Sequence, residues 1–147
     1  MLGFLRAMVG PDDADDCFQE TFIAALRAYD RMDGRHPRAW VMTIARRKAI
    51  DHHRARARRP DPRSDLPEQA APPPGGGGVG DLDGAVWAAV AGLSDAQRAA
   101  VALRYAADLP YREIGVALGC SEAAARRRVA DALAALRENI DEQEAKR

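Results

Sequence analysis

The chain is poor in the residue types that build β-sheets, disulfide frameworks and active sites. Aromatic residues make up 5% of its 147 residues, and it has two cysteines, three histidines and no Cys-x-x-Cys pair. Lone cysteines far apart in sequence favour reduced thiols over a disulfide scaffold. The histidines lack metal-ligand spacing, and no nucleophile elbow or phosphate-binding glycine loop is present. We therefore expect no metal, no cofactor and no catalytic activity.

A long apolar run and a net charge are also missing. The start, MLGFLRAMVG, is too short and interrupted for a membrane span and has no cleavage-site pattern, so we expect a cytoplasmic protein without membrane insertion. The 22 basic and 22 acidic residues cancel, but residues 1–59 carry 12 Arg/Lys against 8 Asp/Glu. Residues 60–92 carry one Arg against five Asp/Glu. A basic element followed by an acidic segment is compatible with nucleic-acid binding.

Alanine, in contrast, is abundant, with 31 residues. Because alanine is the best helix former, the composition predicts an all-α fold. Residues 60–80 hold six of the nine prolines and five of the twelve glycines, which break helices and raise chain entropy. We predict two small helical domains, residues 1–59 and 82–147, joined by a flexible Pro/Gly-rich linker, residues 60–81. The two domains are expected to move semi-independently.

The N-terminal domain contains an amphipathic helix over residues 13–32. Apolar side chains recur on one face, which the pattern predicts to be the core face: Phe18, Phe22, Ala25, Leu26 and Tyr29. Four polar side chains lie largely outside this stripe and are free to meet a partner: Asp15, Asp16, Gln19 and Glu20.

A second helix begins with Trp40, Val41 and Ile44 and then turns basic. Residues 46–59 contain seven Arg or Lys against one Asp. A cationic helix suits a polyanion, because each neutralised phosphate releases condensed counterions, although an isolated basic run is more often a solvated face. The candidate DNA-binding residues here are Arg46, Arg47, Lys48, His52, Arg54 and Arg56.

The C-terminal domain has the pattern of a helix-turn-helix. Ser94 is predicted to cap a helix over residues 95–106, and Asp108-Leu109-Pro110 then breaks the pattern. A short helix, residues 111–118, ends at Gly119, and Ser121 caps a long helix. Its predicted buried face is Ala125, Val129, Ala132, Leu133 and Leu136. The candidate DNA-binding residues are Ser121, Arg126, Arg127 and Arg128, and Asp131 is expected to pair with Arg127 or Arg128.

Both halves resemble regions of the extracytoplasmic-function (ECF) sigma factors, the small promoter-recognition subunits of bacterial RNA polymerase. The motifs D-D-x-x-Q-E-T-F at 15–22, A-W-x-x-x-I-A-R at 39–46 and D-H-x-R-x-R at 51–56 are similar to region 2. The motifs L-S-x-x-Q-R at 93–98, L-R-Y at 103–105 and Y-R-E-I-G-x-x-L-G-x-S at 111–121 are similar to region 4.

The resemblance implies a transcription initiation factor with three working surfaces. Asp15, Asp16, Gln19 and Glu20 would bind core RNA polymerase. The connection 30–38 and the basic helix would engage and help open the downstream promoter element, and the helix-turn-helix would read the upstream element of promoter DNA. An anti-sigma factor is the expected regulatory partner.

Three departures from the family pattern accompany the resemblance. The first helix, within residues 1–9, is shorter than usual, so either it is truncated or the true start lies upstream, and the N-terminal core is expected to be under-packed. Arg47 stands where Asn is common, and residues 123–125 are all alanine. Two alternatives stay open, a helix-turn-helix regulator that does not engage polymerase and a sigma-like decoy that does not support initiation.

Overall fold

The computed structural model describes residues 1–58 and 84–146, and these residues are mainly helical. The α-helices are α1 (Leu2–Val9), α2 (Pro11–Arg27), α3 (Pro37–Arg58), α4 (Gly84–Ala91), α5 (Asp95–Val101), α6 (Tyr111–Leu118) and α7 (Glu122–Ala145). A 3-10 turn (Tyr29–Arg31) follows α2, and a π-helical turn (Ala102–Ala106) continues α5. No strand occurs in these two ranges, which confirms the all-α prediction. The predicted linker, 60–81, lies outside the described residues.

The C-terminal unit, 84–146, follows the sequence signals closely. The Ser94 hydroxyl accepts a hydrogen bond from the Gln97 amide, and the Gln97 side chain accepts one from the Ser94 amide, which completes a capping box. Gly119 ends α6 with a left-handed φ of 69°, and the Ser121 hydroxyl accepts from the Ala124 amide at 3.1 Å. Ala125, Val129 and Ala132 of α7 are buried as predicted. Short-range hydrogen bonds therefore fix the helix-turn-helix corner.

The N-terminal unit, 1–58, contradicts the predicted core face of α2. Phe22, Leu26 and Tyr29 are 54%, 63% and 62% exposed. The buried side chains of α2 are instead the small Ala14, Cys17 and Thr21. Small side chains let α1 and α3 approach α2 closely, whereas the bulky stripe would hold the helices apart. The buried Thr21 hydroxyl stays satisfied because it donates to the Cys17 carbonyl at 2.6 Å.

The short helix α1 lies at the centre of the molecule. Phe4, Leu5, Met8 and Val9 are all buried. They belong to one apolar cluster that also contains Leu103, Ile114 and Val129 of the C-terminal unit. Helix α1 contacts α2 and α3 in its own unit, and α4, α5 and the π-helical turn in the other. The expectation of an under-packed N-terminal core is therefore wrong, because the C-terminal unit covers the short helix.

Polar contacts also join the two units. The Arg38 guanidinium donates to the Ala107 carbonyl at 2.6 Å, and His36 Nδ1 lies 3.7 Å from Glu113 Oε1. Arg98 donates to the Met8 carbonyl at 3.4 Å and also to the carbonyls of Val90, Ala91 and Leu93, which lie at and beyond the end of α4. The two units, which the sequence predicts to move semi-independently, thus share a core and a set of hydrogen bonds in this structure.

Candidate nucleic-acid interface

The exposed face of α2 combines acids with large apolar side chains. Asp15, Asp16, Gln19 and Glu20 are exposed, as the sequence predicts. Asp15, Gln19, Phe22 and Leu26 follow a spacing of three or four residues and therefore share one stripe with Ile23 beside it. The rings of Phe18 and Phe22 stack with their centroids 6.4 Å apart. We call Asp15, Asp16, Gln19, Glu20, Phe22, Ile23 and Leu26 the α2 surface, a patch of the kind that marks a protein–protein contact.

The acids of α2 also act on the thiol behind them. Burial raises the pKa of Cys17, and the nearby carboxylates of Glu20, Asp13 and Asp16 raise it further. Both causes disfavour the thiolate, since it would lose hydration and face like charges. The α2 surface is thus electronegative as well as apolar.

The six basic candidates on α3 divide into two groups. Arg47 and Arg54 are exposed, and Arg46 and Lys48 are partly exposed. His52 and Arg56, in contrast, both approach Asp13 of α2. Arg56 Nη1 donates to Asp13 Oδ2 at 3.1 Å. His52 Nε2 is buried and also lies 3.1 Å from that oxygen, but outside hydrogen-bond geometry.

The neighbouring His53 has a packing role. Its Nε2 lies 2.7 Å from the carbonyl of Met8, at the C-terminal end of α1. A ring nitrogen that donates there satisfies one of the carbonyls that every helix end leaves without a partner. The C-terminal half of α3 is thus held to α1 through His53, and the residues after His53 are exposed, although Arg56 still contacts Asp13.

The candidates on α7 are all exposed, but two of them already have partners within the chain. Ser121 uses its hydroxyl oxygen as the helix cap. Arg126 Nη2 donates to Glu122 Oε1 at 3.0 Å. The predicted pairing of Asp131 with Arg127 or Arg128 is wrong, since no ion pair of the described residues includes Asp131. Glu before Arg at a spacing of four is the favourable order on a helix, whereas Asp131 follows its arginines.

Arg104, Tyr111 and Arg112, which form a cluster with the predicted Arg126, were not among the predicted site residues. The guanidinium carbons of Arg104 and Arg126 lie 4.5 Å and 4.8 Å from the centre of the Tyr111 ring. Arg104 Nη1 also donates to the Leu109 carbonyl at 3.1 Å. Around the ring is an open cavity of about 320 Å³, lined by Arg104, Pro110, Tyr111, Arg112, Glu122 and Arg126.

The position of this cluster explains why periodicity did not find it. Arg104 lies on the π-helical turn and Arg126 on α7, and their approach depends on the reversal at Asp108, where φ is 54°. Arg104, Arg112 and Arg126 lie on three separate elements, so no common spacing in sequence connects them. The signal that the sequence does offer is a basic residue on each side of the break at 108–110, Arg104 before it and Arg112 after it.

The candidate surfaces are linked through α6. Helix α3 packs against α6, and α7 packs against α4, α5 and α6. The basic sets of α3 and α7 therefore lie on different helices that both pack against α6.

Within the described residues, no helix has the length and apolar character of a membrane span.

Two family models match the chain in order. Sigma-70 region 2 matches residues 1–59, and sigma-70 region 4 matches residues 83–136. Together the two matches cover the N-terminal unit and the C-terminal unit as far as residue 136.

Curated relatives and a solved structure agree with these matches. The chain is 36% identical over 142 residues to ECF RNA polymerase sigma factor SigC of Mycobacterium tuberculosis, covering 90% of this chain and 73% of the relative. It is 30% identical over 142 residues to ECF RNA polymerase sigma factor SigK of Mycobacterium ulcerans, covering 87% of this chain and 72% of the relative. The fold is similar to that of sigma factor RpoE of Bartonella quintana, solved with the anti-sigma factor NepR, with a TM-score of 0.75 and 28% identity over 95% of this chain and 89% of that one. The chain therefore belongs to the extracytoplasmic-function group of the sigma-70 family, bacterial transcription initiation factors that bind core RNA polymerase and direct it to specific promoters.

Proposed function

We propose that this chain initiates transcription through three surfaces: the α2 surface, the basic side of α3 with the connection 30–38, and the start of α7. Residues 1–59 and 82–147 would be the two working domains, with 60–81 between them. The observation that carries the proposal is the order of the two family regions on one chain, each with an exposed charged helix face. A helix-turn-helix regulator that does not bind polymerase would not require the N-terminal region.

The α2 surface is proposed to bind core RNA polymerase. Asp15, Asp16, Gln19 and Glu20 supply charge and hydrogen bonds, and Phe22 and Leu26 add apolar area. Large apolar side chains left in water beside acids support this role, because the fold buries the other face of α2. Interfaces of this kind combine an apolar centre with a polar rim.

The basic side of α3 is proposed to contact the downstream promoter element. Arg46, Arg47, Lys48 and Arg54 have side chains that reach solvent and can neutralise phosphates. His52 and Arg56 would join them only after they leave Asp13. The connection 30–38 would help to open the duplex.

The start of α7 is proposed to read the upstream element. Arg126 is assigned a base-edge role and Arg127 a phosphate role, with Arg128 and the region of Ser121 contributing further backbone contacts. A helix-turn-helix places the first turns of its second helix against the major groove, which supports this assignment.

Regulation and location follow from the same family membership. We propose an anti-sigma factor as the regulatory partner, since the related Bartonella sigma factor was solved with one. We propose a cytoplasmic location, because initiation would take place on cytoplasmic DNA, and the chain would contribute binding and no catalysis of its own.

Run-off transcription with purified core RNA polymerase tests the proposal. The double variant Gln19→Ala/Glu20→Ala should bind core enzyme about tenfold more weakly, as truncation of interface residues does elsewhere, and lose run-off product in proportion. Its thermal melting should stay nearly unchanged, because exposed substitutions usually cost within about 0.5 kcal/mol. The matched control is Glu138→Ala/Glu142→Ala, which removes two exposed acids from α7 at a distance from its start. Unchanged binding of the first variant would refute the docking role of the α2 surface.

A further inference from the structure

Arg126 is held in place before any DNA is present. Its Nη2 donates to Glu122 Oε1 at 3.0 Å, and its guanidinium carbon lies 4.8 Å from the centre of the Tyr111 ring. Glu122 is one turn earlier on the same helix, while Tyr111 opens α6. An ion pair and a cation–π contact from two different helices restrict a side chain that would otherwise sample many rotamers.

The acid in this arrangement needs an explanation of its own. Glu122 lies in the first turn of the helix that is proposed to meet DNA, and a carboxylate there repels phosphate. As a charge at a helix N-terminus it is favourable for folding, but many other polar residues would be tolerated at an exposed position. Its side chain is 50% exposed and that of Arg126 is 61% exposed. Neither residue is therefore fixed by core packing.

Without Glu122, every charged side chain that lines the cavity beside this pair would be cationic. Arg104, Arg112 and Arg126 line it, and Glu122 is the only carboxylate among its lining residues. Three guanidinium groups around one open cavity would attract any phosphate, whatever the DNA sequence. One carboxylate lowers that attraction and engages Arg126 at the same time.

The remaining donors of Arg126 stay available for a base. A guanidinium has five N–H donors, and the ion pair with Glu122 uses one of them. A bidentate contact with the O6 and N7 atoms of guanine needs two. A pre-oriented arginine loses less conformational entropy on binding than a free one.

We propose that Glu122 is a specificity-determining residue of the upstream-element contact. It orients Arg126 toward a guanine edge and keeps a backbone phosphate from occupying the Arg104–Arg112–Arg126 cavity in its place. This inference rests on the proposed function, because it assumes that α7 reads DNA. Glu122 acts through Arg126 and is a positioning residue, with no base contact of its own.

The test compares Glu122→Gln with the wild-type full chain, each assembled with core RNA polymerase. The probe is a library of DNA duplexes randomised over the upstream element, followed by titrations on selected single duplexes across a range of salt concentrations. In Glu122→Gln the preference for guanine at one position should fall about fivefold or more, within the range that a bidentate arginine–guanine contact provides. Affinity for a duplex of random sequence should rise, with the salt slope steeper by about one phosphate contact.

Two further variants separate this role from a general effect of charge. Glu138→Gln removes an equal charge from an exposed position of α7 outside the cavity, and it should change neither preference nor salt slope. In an Arg126→Ala background, Glu122→Gln should cause no further loss of guanine preference. Circular dichroism and melting check that each variant is folded.

The outcomes distinguish this inference from the proposed function. If the wild-type holoenzyme enriches no sequence, the proposed function fails. If it enriches one and Glu122→Gln keeps the same preference and slope, only the role of Glu122 is overturned. An equal loss of preference in the Arg126→Ala background would also overturn it, because Glu122 would then act without Arg126.

Discussion

Helices α2 and α7 are both amphipathic, yet the large apolar side chains of α2 are exposed and the apolar stripe of α7 is buried. In α7 the stripe of Ala125 and Val129 is buried against α5 and α6. In α2 the stripe of Phe22 and Leu26 faces water, while alanine, cysteine and threonine fill the core side. Helical spacing of apolar residues therefore identifies an apolar face, but it does not determine whether that face packs in the core or is left exposed. A helix that serves a partner can bury its small residues and expose its large ones.

The largest expected effect comes from matched truncations in the two units. Ile114→Ala, at a fully buried position of α6, should lower the free energy of unfolding by about 2–5 kcal/mol, because it leaves a cavity. Leu26→Ala should change it by about 0.5 kcal/mol or less, since most of that side chain is in water. Urea unfolding monitored by circular dichroism measures both. Similar costs for the two variants would mean that the α2 stripe is buried in solution.

Two glycines extend the contrast from side chains to backbone. A Cβ on Gly115 would lie 2.7 Å from the Cys120 carbonyl oxygen, so the turn between α6 and α7 must shift. Gly115→Ala should therefore cost about 1–3 kcal/mol, as over-packing does elsewhere. On Gly3 of α1 the nearest atoms would be 3.8 Å away, an ordinary contact. Gly3→Ala should leave the melting temperature unchanged or raise it, because alanine favours helix. Parallel thermal melts compare the two variants, and a melting temperature for Gly115→Ala as high as that of Gly3→Ala would show that the turn yields easily.

A smaller effect is expected at the helix starts. Ser121→Ala should cost about 1 kcal/mol of stability, because the Ala124 amide loses its side-chain acceptor. Ser121→Asp should recover most of that loss, since a carboxylate also caps. Helix α2, in contrast, begins at Gly10 and Pro11 without a side-chain cap. Chemical denaturation of the two Ser121 variants is the measurement, and equal stability of both would argue against the cap.

The smallest effect is kinetic and concerns the thiols. Burial and the acids of α2 raise the pKa of Cys17, so its thiolate fraction near pH 8 is below that of an unfolded chain. Alkylation should therefore modify Cys120 first, which is partly exposed, and reach Cys17 only as pH rises or the chain opens. Mass spectrometry of peptides after timed labelling follows both sites. Glu20→Gln removes one of the causes and should speed labelling of Cys17 slightly. Equal labelling rates at both cysteines in the folded protein would contradict the burial of Cys17.

Much of the C-terminal unit could be predicted from sequence because its determinants are local. Ser94, Gly119 and Ser121 act within four residues of themselves, and the structure has each cap where the sequence predicts it. Helical spacing likewise predicts that four polar side chains of α2 are exposed, and the structure confirms it for Asp15, Asp16, Gln19 and Glu20.

What could not be predicted depends on contacts between distant segments. The hydrogen bond from Arg38 to the Ala107 carbonyl joins residues 69 positions apart, and no pattern in either segment signals it. The approach of His52 and Arg56 to Asp13 depends on the packing of α3 against α2, which brings together residues about 40 positions apart. The cluster around Tyr111 depends on a single residue with positive φ.

The central position of α1 has a practical consequence for dividing the protein. Phe4, Leu5 and Met8 are shared between the two units, so a gene fragment that ends near residue 58 would produce a polypeptide with part of this apolar surface uncovered. The complementary fragment would expose Leu103 and its neighbours. Each piece expressed alone should be prone to aggregation, while the two expressed together should recover soluble protein by re-forming one interior.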